Sequence, residues 1–255
     1  MLKVGVYGAN GRVGRLLVKN LTEDSDTEVV ALCEKERIDY QAPKGSLATN
    51  DVTTFLEASE AVIDFTVPKA TENLLEAAIK QPRPLVIGTT GLDDAQKVLL
   101  KKASNTMPIL YATNMSVGIA LLKRLVQMTA QKLSDFDIEI VEQHHRYKKD
   151  APSGTAFTLA EFAANARGLE LEKVRISGRD GFMGERSKDE IGVMAIRGGD
   201  IVGRHTVGFY NNGEFIELNH TATSRETFSK GAVRACKWLS KQDVGLYDIS
   251  DCLGL

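Results

Sequence analysis

Residues 142–155 read Glu-Gln-His-His-Arg-Tyr-Lys-Lys-Asp-Ala-Pro-Ser-Gly-Thr. Two of the chain's four histidines, His144 and His145, stand side by side, and Arg146, Lys148 and Lys149 follow within five residues. An imidazole titrates near neutrality, so it can hand a proton to a substrate carbon. Converging cations recognise a carboxylate or a phosphate. Pro152-Ser153-Gly154 turns the chain into a helix whose first residues include Gly154 and Thr155. The free amides of a helix start form an anion site. The segment therefore reads as a proton donor beside a pocket for an anionic substrate. Four other readings compete with it. A zinc site is disfavoured because adjacent histidines in a strand point to opposite faces and no cysteine or carboxylate pattern completes it. A Ser153 nucleophile lacks the G-x-S-x-G setting. A nucleic-acid patch would be short in a chain that is not basic. A solvated basic loop is the plainest alternative.

A second signal sits near the N-terminus. Residues 8–14 read Gly-Ala-Asn-Gly-Arg-Val-Gly. The first glycine allows a tight turn, the second lets backbone approach a phosphate, and the third lets helix and strand pack closely. The following helix start, at Arg12 and Val13, would offer amides and a positive dipole end to a pyrophosphate. Glu34 comes 20 positions after Gly14, at the end of the next apolar run. A carboxylate there would bind ribose hydroxyls of an NAD-type cofactor, and Lys35 beside it could attract a 2′-phosphate. The pair predicts use of both NADH and NADPH. A tight turn with no ligand and a solvated carboxylate are the bland alternatives. Gly88-Thr89-Thr90-Gly91 and Ala112-Thr113-Asn114-Met115-Ser116 each end an apolar run, where ligands of a doubly wound sheet sit. Ordinary turn chemistry explains the same residue types.

The elements that must position these residues follow from periodicity. Strands are expected at Leu2–Tyr7, Glu28–Cys33, Ala61–Phe65, Leu85–Ile87 and Ile109–Ala112. Helices are expected at Arg12–Leu21, Ala70–Lys80 and Asp93–Ser104. Alternating strands and helices with short connections predict a doubly wound parallel α/β sheet. After Met115 the rhythm changes. Helices are expected at Gly118–Leu133 and Pro152–Arg167. Asp137–Gln143 should be a half-exposed strand, with Ile138 and Ile140 opposed to Glu139 and Glu142. Strands at Val174–Ser177, Ile191–Ile196, His205–Tyr210 and Glu214–His220 follow, with turns at Gly198-Gly199 and Asn211-Asn212-Gly213. This predicts a C-terminal α+β domain with an open mixed sheet. A last amphipathic helix, Phe228–Ser240, is assigned back to the first domain. The division is then 1–115, completed by 226–255, and 116–225. His205 and His220 fall in strands and read as structural.

The chain has 255 residues, 43% hydrophobic and 26% charged, which is ordinary for a globular protein of one large or two modest domains. Its net charge of −2 gives no global attraction to nucleic acid or an acidic membrane. Three unpatterned cysteines, Cys33, Cys236 and Cys252, suggest a reducing compartment and no zinc framework. No targeting segment or membrane-length apolar run is visible, so a cytoplasmic location is expected.

These residues together resemble the dihydrodipicolinate reductase family. The resemblance spans nearly the whole chain. It rests on Gly8–Gly14, Asp64-Phe65-Thr66, Gly88-Thr89-Thr90-Gly91, Asn114-Met115-Ser116-Val117-Gly118, Gly199-Asp200-Ile201-Val202-Gly203 and Ser224-Arg225. Above all it rests on His144-His145, Lys148 and Asp150-Ala151-Pro152-Ser153-Gly154-Thr155-Ala156. It implies a Rossmann-like nucleotide domain, and reduction by NADH or NADPH of a cyclic unsaturated dicarboxylate to tetrahydrodipicolinate, in lysine and diaminopimelate biosynthesis. It also implies a hinge that closes the two domains on substrate. In that reading His144 is the general acid, and Lys148 is a second proton donor or substrate polariser. His145, Gly154 and Thr155 hold substrate carboxylate. Gly8, Ala9, Asn10, Gly11, Arg12, Val13, Glu34, Lys35, Gly88, Thr89, Thr90, Ala112, Thr113, Asn114 and Met115 line the cofactor. It further implies a homotetramer joined through the C-terminal sheet, and no metal. Arg204 stands where the family leads one to expect an acidic residue. Another two-domain NAD(P)-dependent dehydrogenase acting on a small amino or keto acid, and a non-enzymatic dinucleotide sensor, share the same plan.

Overall fold

Residues 1–255 are described by a computed structural model. In chain order the first elements are β1 (Leu2–Tyr7), α1 (Arg12–Glu23), β2 (Thr27–Cys33), β3 (Leu47–Thr49), α2 (Val52–Ala58) and β4 (Ala61–Asp64). Then come α3 (Pro68–Lys80), β5 (Leu85–Ile87), α4 (Asp94–Ala103), β6 (Pro108–Tyr111), α5 (Val117–Lys132) and β7 (Asp137–His144). The rest are α6 (Gly154–Ala166), α7 (Leu171–Val174), β8 (Arg175–Ile176), β9 (Ile191–Arg197), β10 (Gly203–Asn211), β11 (Glu214–Ala222), α8 (Glu226–Leu239) and β12 (Gly245–Tyr247). The chain forms two units, Met1–Val117 with Glu226–Leu255, and Gly118–Arg225.

The first unit holds a seven-stranded sheet in the order β12-β6-β5-β4-β1-β2-β3, every pairing parallel. Parallel strands are covered on both faces, so they read as continuous apolar runs. Accordingly all four residues of β4 and all three of β5 are buried. Leu56, Leu74, Leu75, Leu85, Ile87 and Ile109 share one core cluster. On α1, Leu17, Val18 and Leu21 are buried at helical spacing. Helix α8 completes this unit. Its Ser229 Oγ accepts a buried hydrogen bond from Asn20 Nδ2 of α1 at 2.6 Å. At Gly231 a Cβ would overlap the Met115 carbonyl oxygen, so the helix and the turn after β6 touch backbone to backbone. Periodicity does not show β3, α2 or β12. β3 and β12 are three-residue strands at the two sheet edges, too short to carry a pattern.

The second unit holds a five-stranded mixed sheet in the order β11-β10-β7-β9-β8. Its core cluster includes Val126, Ile138, Ile140, Leu159, Val193 and Phe209. The Asn212-Gly213 hairpin forms between β10 and β11, with Gly213 at φ +86°. Gly198-Gly199 does not make a hairpin. β9 pairs β7 in parallel and β10 pairs β7 antiparallel, so the two strands flank β7 from opposite sides. The strand expected at Val174–Ser177 shrinks to β8, two residues long. Glu142 also departs from expectation. It shares the inward face of β7 with Ile138 and Ile140, and all three are fully buried. Side chains two apart point the same way, so residues 138, 140, 142 and 144 form one row.

No helix is long and apolar enough to cross a membrane.

Candidate active site

In the first unit, the C-terminal ends of β1, β2 and β4 frame a cleft of ≈ 910 Å³, lined by Gly8, Asn10, Gly11, Glu34, Lys35 and Thr66 among others. β1 lies between β2 and β4, so this is the point where the winding of the sheet reverses, the usual ligand position of such sheets. Gly8 has φ +86°, and a Cβ on it would press Thr66 Cγ2 at 2.7 Å and the Phe65 carbonyl oxygen at 2.9 Å. Only glycine fits. A Cβ at Gly14 would overlap the Gly8 carbonyl oxygen, so α1 starts in direct contact with the turn. Gly11 is the N-cap of α1, and no side chain caps that end. The helix start is therefore open to an anionic group. Glu34 Oε2 accepts the Asn10 amide at 3.0 Å, and its Oε1 accepts the Lys35 amide at 3.1 Å. The carboxylate is pinned at the cleft with lone pairs left for hydroxyls. These features fit a dinucleotide: a glycine cradle, an uncapped helix start and an oriented acceptor.

The floor beside this cleft is polar. Asp64, fully buried at the end of β4, accepts from the Thr66 amide and hydroxyl and from the Thr71 hydroxyl. Burial pushes its carboxyl up to about 6, against the pull of those donors. Thr89 joins the group, because its Oγ accepts the Thr66 amide at 3.1 Å. Gly88, exposed Thr90, and Ala112–Met115 follow β5 and β6 further along the sheet. They do not line the cleft around Gly8 and Glu34. Ala9 faces inward, its carbonyl accepting the Tyr40 hydroxyl at 3.2 Å.

In the second unit, His144 ends β7 and its Nδ1 lies 2.5 Å from Glu142 Oε2. Arg197, opposite His144 on β9, grips the same carboxylate with both Nη atoms, at 2.8 and 2.7 Å. The Ser153 amide donates to Glu142 Oε1 at 2.9 Å. Burial alone would raise the Glu142 carboxyl, but Arg197, His144 and the Ser153 amide hold it below the usual value. Burial lowers His144, Glu142 pulls it back, and Lys148 and Arg197 add to the lowering, with a net downward shift. Lys148 Nζ pairs with Asp150 at 2.8 Å. Ser153 caps α6, its Oγ accepting the Ala156 amide at 3.2 Å. A Cβ at exposed Gly154 would meet nothing within 4 Å, so the helix start is open there, with half-buried Thr155 next to it. The His145 amide donates to the Ile201 carbonyl at 2.8 Å, and its ring lies 6.2 Å from that of Tyr147.

Three residues here escape sequence reading. Glu142 is assigned by pattern to the exposed face of β7, although its parity with His144 signals otherwise. Arg197 reaches the site only through the parallel β7–β9 pairing, which no local pattern reveals. His205, read as structural, sits edge-on to His144 at 5.3 Å, and its Nε2 meets Ser153 Oγ at 3.2 Å.

Comparison with known proteins agrees with this architecture. The family model "Dihydrodipicolinate reductase, N-terminus" matches residues 2–115 and "Dihydrodipicolinate reductase, C-terminus" matches residues 118–253. A 4-hydroxy-tetrahydrodipicolinate reductase from a Nitratiruptor species is 64% identical over 255 residues, covering 100% of both chains. One from Sulfurimonas denitrificans is 63% identical over 253 residues, covering 99% of each. Among solved structures, the dipicolinate-bound dihydrodipicolinate reductase from Paenisporosarcina sp. TG-14 has the same fold. Its TM-score is 0.82 at 22% identity, covering 97% of both chains. With both halves matched and relatives this similar from end to end, the chain belongs to the dihydrodipicolinate reductase family of oxidoreductases.

Proposed function

We propose that the chain converts 4-hydroxy-tetrahydrodipicolinate, the cyclic dicarboxylate in its relatives' names, to tetrahydrodipicolinate and water with NADH or NADPH: the hydroxyl leaves with a neighbouring ring hydrogen as water, and the ring double bond so formed takes up the hydride and a proton. The observation that carries this reading is the His144 ring, backed by a buried carboxylate and set on the strand that leads into an open helix start. In this reading the Gly8–Val13 turn and the α1 start receive the pyrophosphate. Glu34 accepts ribose hydroxyls, and exposed Lys35 accommodates a 2′-phosphate. Thr66 and Thr89, fixed on Asp64, shape the neighbouring wall together with the Gly88–Thr90 and Ala112–Met115 turns. The dinucleotide, when bound, supplies the hydride.

The protein's own residues handle charge and the proton. Gly154, Thr155 and His145 hold a substrate carboxylate. Lys148, held by Asp150 at 2.8 Å, acts as polariser or second proton donor. His144 delivers a proton from Nε2 to the carbon next to the one reduced. A neutral imidazole is a poor acid, so the active form is the protonated ring. Burial lowers its affinity for that proton, and a bound dicarboxylate raises it again. Because the acid must be protonated, kcat/KM falls as pH rises through its titration, which in the free enzyme lies below the ordinary histidine value. Self-association through the second sheet, as a homotetramer, is consistent with Phe215 and Ile216 on β11, which are 64% and 44% exposed. Light scattering in solution tests it, and a monomer would refute it.

The test is optical. The substrate is generated in situ by the preceding synthase from pyruvate and aspartate semialdehyde, and NADH and NADPH oxidation are followed separately. Synthase-dependent oxidation is expected with both cofactors. His144→Gln should lower turnover by about 100- to 10,000-fold while cofactor affinity stays put. Lys148→Ala should cost turnover and substrate binding together. Binding of either cofactor without oxidation would remove the substrate assignment and leave a dehydrogenase of different specificity.

A further inference from the structure

We infer that Glu142, clamped by Arg197, is a positioning residue that fixes the proton of His144 on Nδ1 and so makes Nε2 the atom that exchanges protons with substrate. The inference rests on the reading of His144 as proton donor. It adds a residue pair to that reading and says how the pair acts.

An ionised carboxylate presents about four lone-pair positions, two on each oxygen. Glu142 is fully buried, so each position must be met from within the protein. On Oε1 two donors arrive, Arg197 Nη2 at 2.7 Å and the Ser153 amide at 2.9 Å. On Oε2 one donor is Arg197 Nη1 at 2.8 Å, and the other atom in reach is His144 Nδ1 at 2.5 Å. Nδ1 must then carry hydrogen, because a bare ring nitrogen would face a carboxylate lone pair. In the neutral ring Nε2 is left as the lone pair. Protonation at Nε2 produces an imidazolium whose charge lies against Glu142.

Two further observations agree. First, Nε2 has room on its own side. β10 places Gly203 there, where a Cβ would stand 3.0 Å from Nε2. Second, the other charged or titratable groups around the ring cannot replace Glu142. Arg197 on β9 and Lys148 in the following loop are cationic and disfavour the protonated ring. Asp150 is occupied by Lys148. His205 on β10, with His220 of β11 behind it, is held neutral by burial. Glu142 is the only carboxylate in contact with His144, so it alone offsets these effects. The same carboxylate receives the Ser153 amide at the start of α6, so one group aligns the proton donor and the helix start that faces the substrate.

The test uses the full-length protein. In wild type, imidazole nitrogen resonances of His144, assigned by comparison with His144→Gln, should show the neutral ring protonated at Nδ1. In Glu142→Gln, the Arg197 guanidinium should claim the amide oxygen and turn the NH₂ toward the ring. The tautomer should then invert to Nε2–H. The limb where kcat/KM falls with rising pH should move at least one pH unit lower, and turnover at neutral pH should drop at least about tenfold. NADH affinity should be unchanged. Glu142→Asp, which keeps the charge, should restore part of the pH profile. Gly203→Ala, which crowds Nε2 and leaves Glu142 alone, should lower turnover without changing the tautomer. A wild-type ring protonated at Nε2 would overturn the inference even if neither Glu142 variant folds. So would an unchanged tautomer and pH limb in Glu142→Gln. If His144→Gln abolishes turnover while Glu142→Gln behaves as wild type, the inference falls and the catalytic reading stands. If His144→Gln retains turnover, both fall.

Discussion

His205 is 4% exposed, and no partner meets its Nδ1. Burial first, then the neighbouring His144, hold its ring down at about 4, against the opposing pull of Glu142. An unfolded histidine binds its proton near 6.5, so between about 4 and 6.5 the unfolded chain binds more protons than the folded one. Stability present above 6.5 is therefore lost as pH falls through this window, by up to ~3 kcal/mol from this residue. Denaturant melts from pH 4 to 7 should show this slope, and His205→Gln should flatten it. A slope unchanged in the variant would place the acid sensitivity elsewhere. At this scale the sequence reveals residue types but not their company. His144, Lys148 and the Gly154 turn are legible because they lie within a dozen residues of one another. Arg197 and His205 are not, since each arrives on a different strand, more than fifty residues on.

Two glycines at helix starts show how elements differ in what they tolerate. Gly14 sits in the first turn of α1 against the Gly8 carbonyl, and a methyl group there has nowhere to go. Gly14→Ala should push α1 off the turn, cost about 1–3 kcal/mol in a melt, and weaken NADH binding with it. Gly154 opens α6 into empty space, so Gly154→Ala should leave the melting temperature in place or raise it slightly. If the α6 start takes substrate carboxylate, the same methyl should raise the substrate KM. An unchanged KM would move the carboxylate elsewhere. The long helices are readable because 3.6-residue periodicity averages over several turns; α3 is expected from Ala70 and begins at Pro68. The strands of the second unit are harder. Periodicity marks a strand and its faces but not its neighbour, which is why Gly198-Gly199 reads as a turn and nothing local shows that β9, just before it, pairs in parallel with β7.

At the scale of the whole molecule, the first unit is discontinuous in sequence, built from Met1–Val117 and Glu226–Leu255. Helix α8 buries Ala232, Val233, Ala235, Cys236 and Leu239, and β12 adds the edge strand beside β6. A chain ending at Arg225 would bare the surface that α8 covers. It should lose NADH binding and cooperative melting, and retained binding would show that α8 is dispensable. Composition alone bounds the chain to one or two domains, and the change of rhythm after Met115 is visible in the sequence. The identity of the substrate is not visible in any composition or period; it comes from likeness to relatives. The close approach of Gly231 to the Met115 carbonyl has a topological consequence. Residues 118–225 leave the α/β framework just after Met115 and rejoin it just before Gly231, so the second unit is one continuous insertion into the first. A framework whose cut ends already lie side by side can be resealed with a short glycine bridge at little entropic cost. An insertion of another length whose ends meet at the same spacing fits this point of the chain without re-threading the parallel sheet of the first unit.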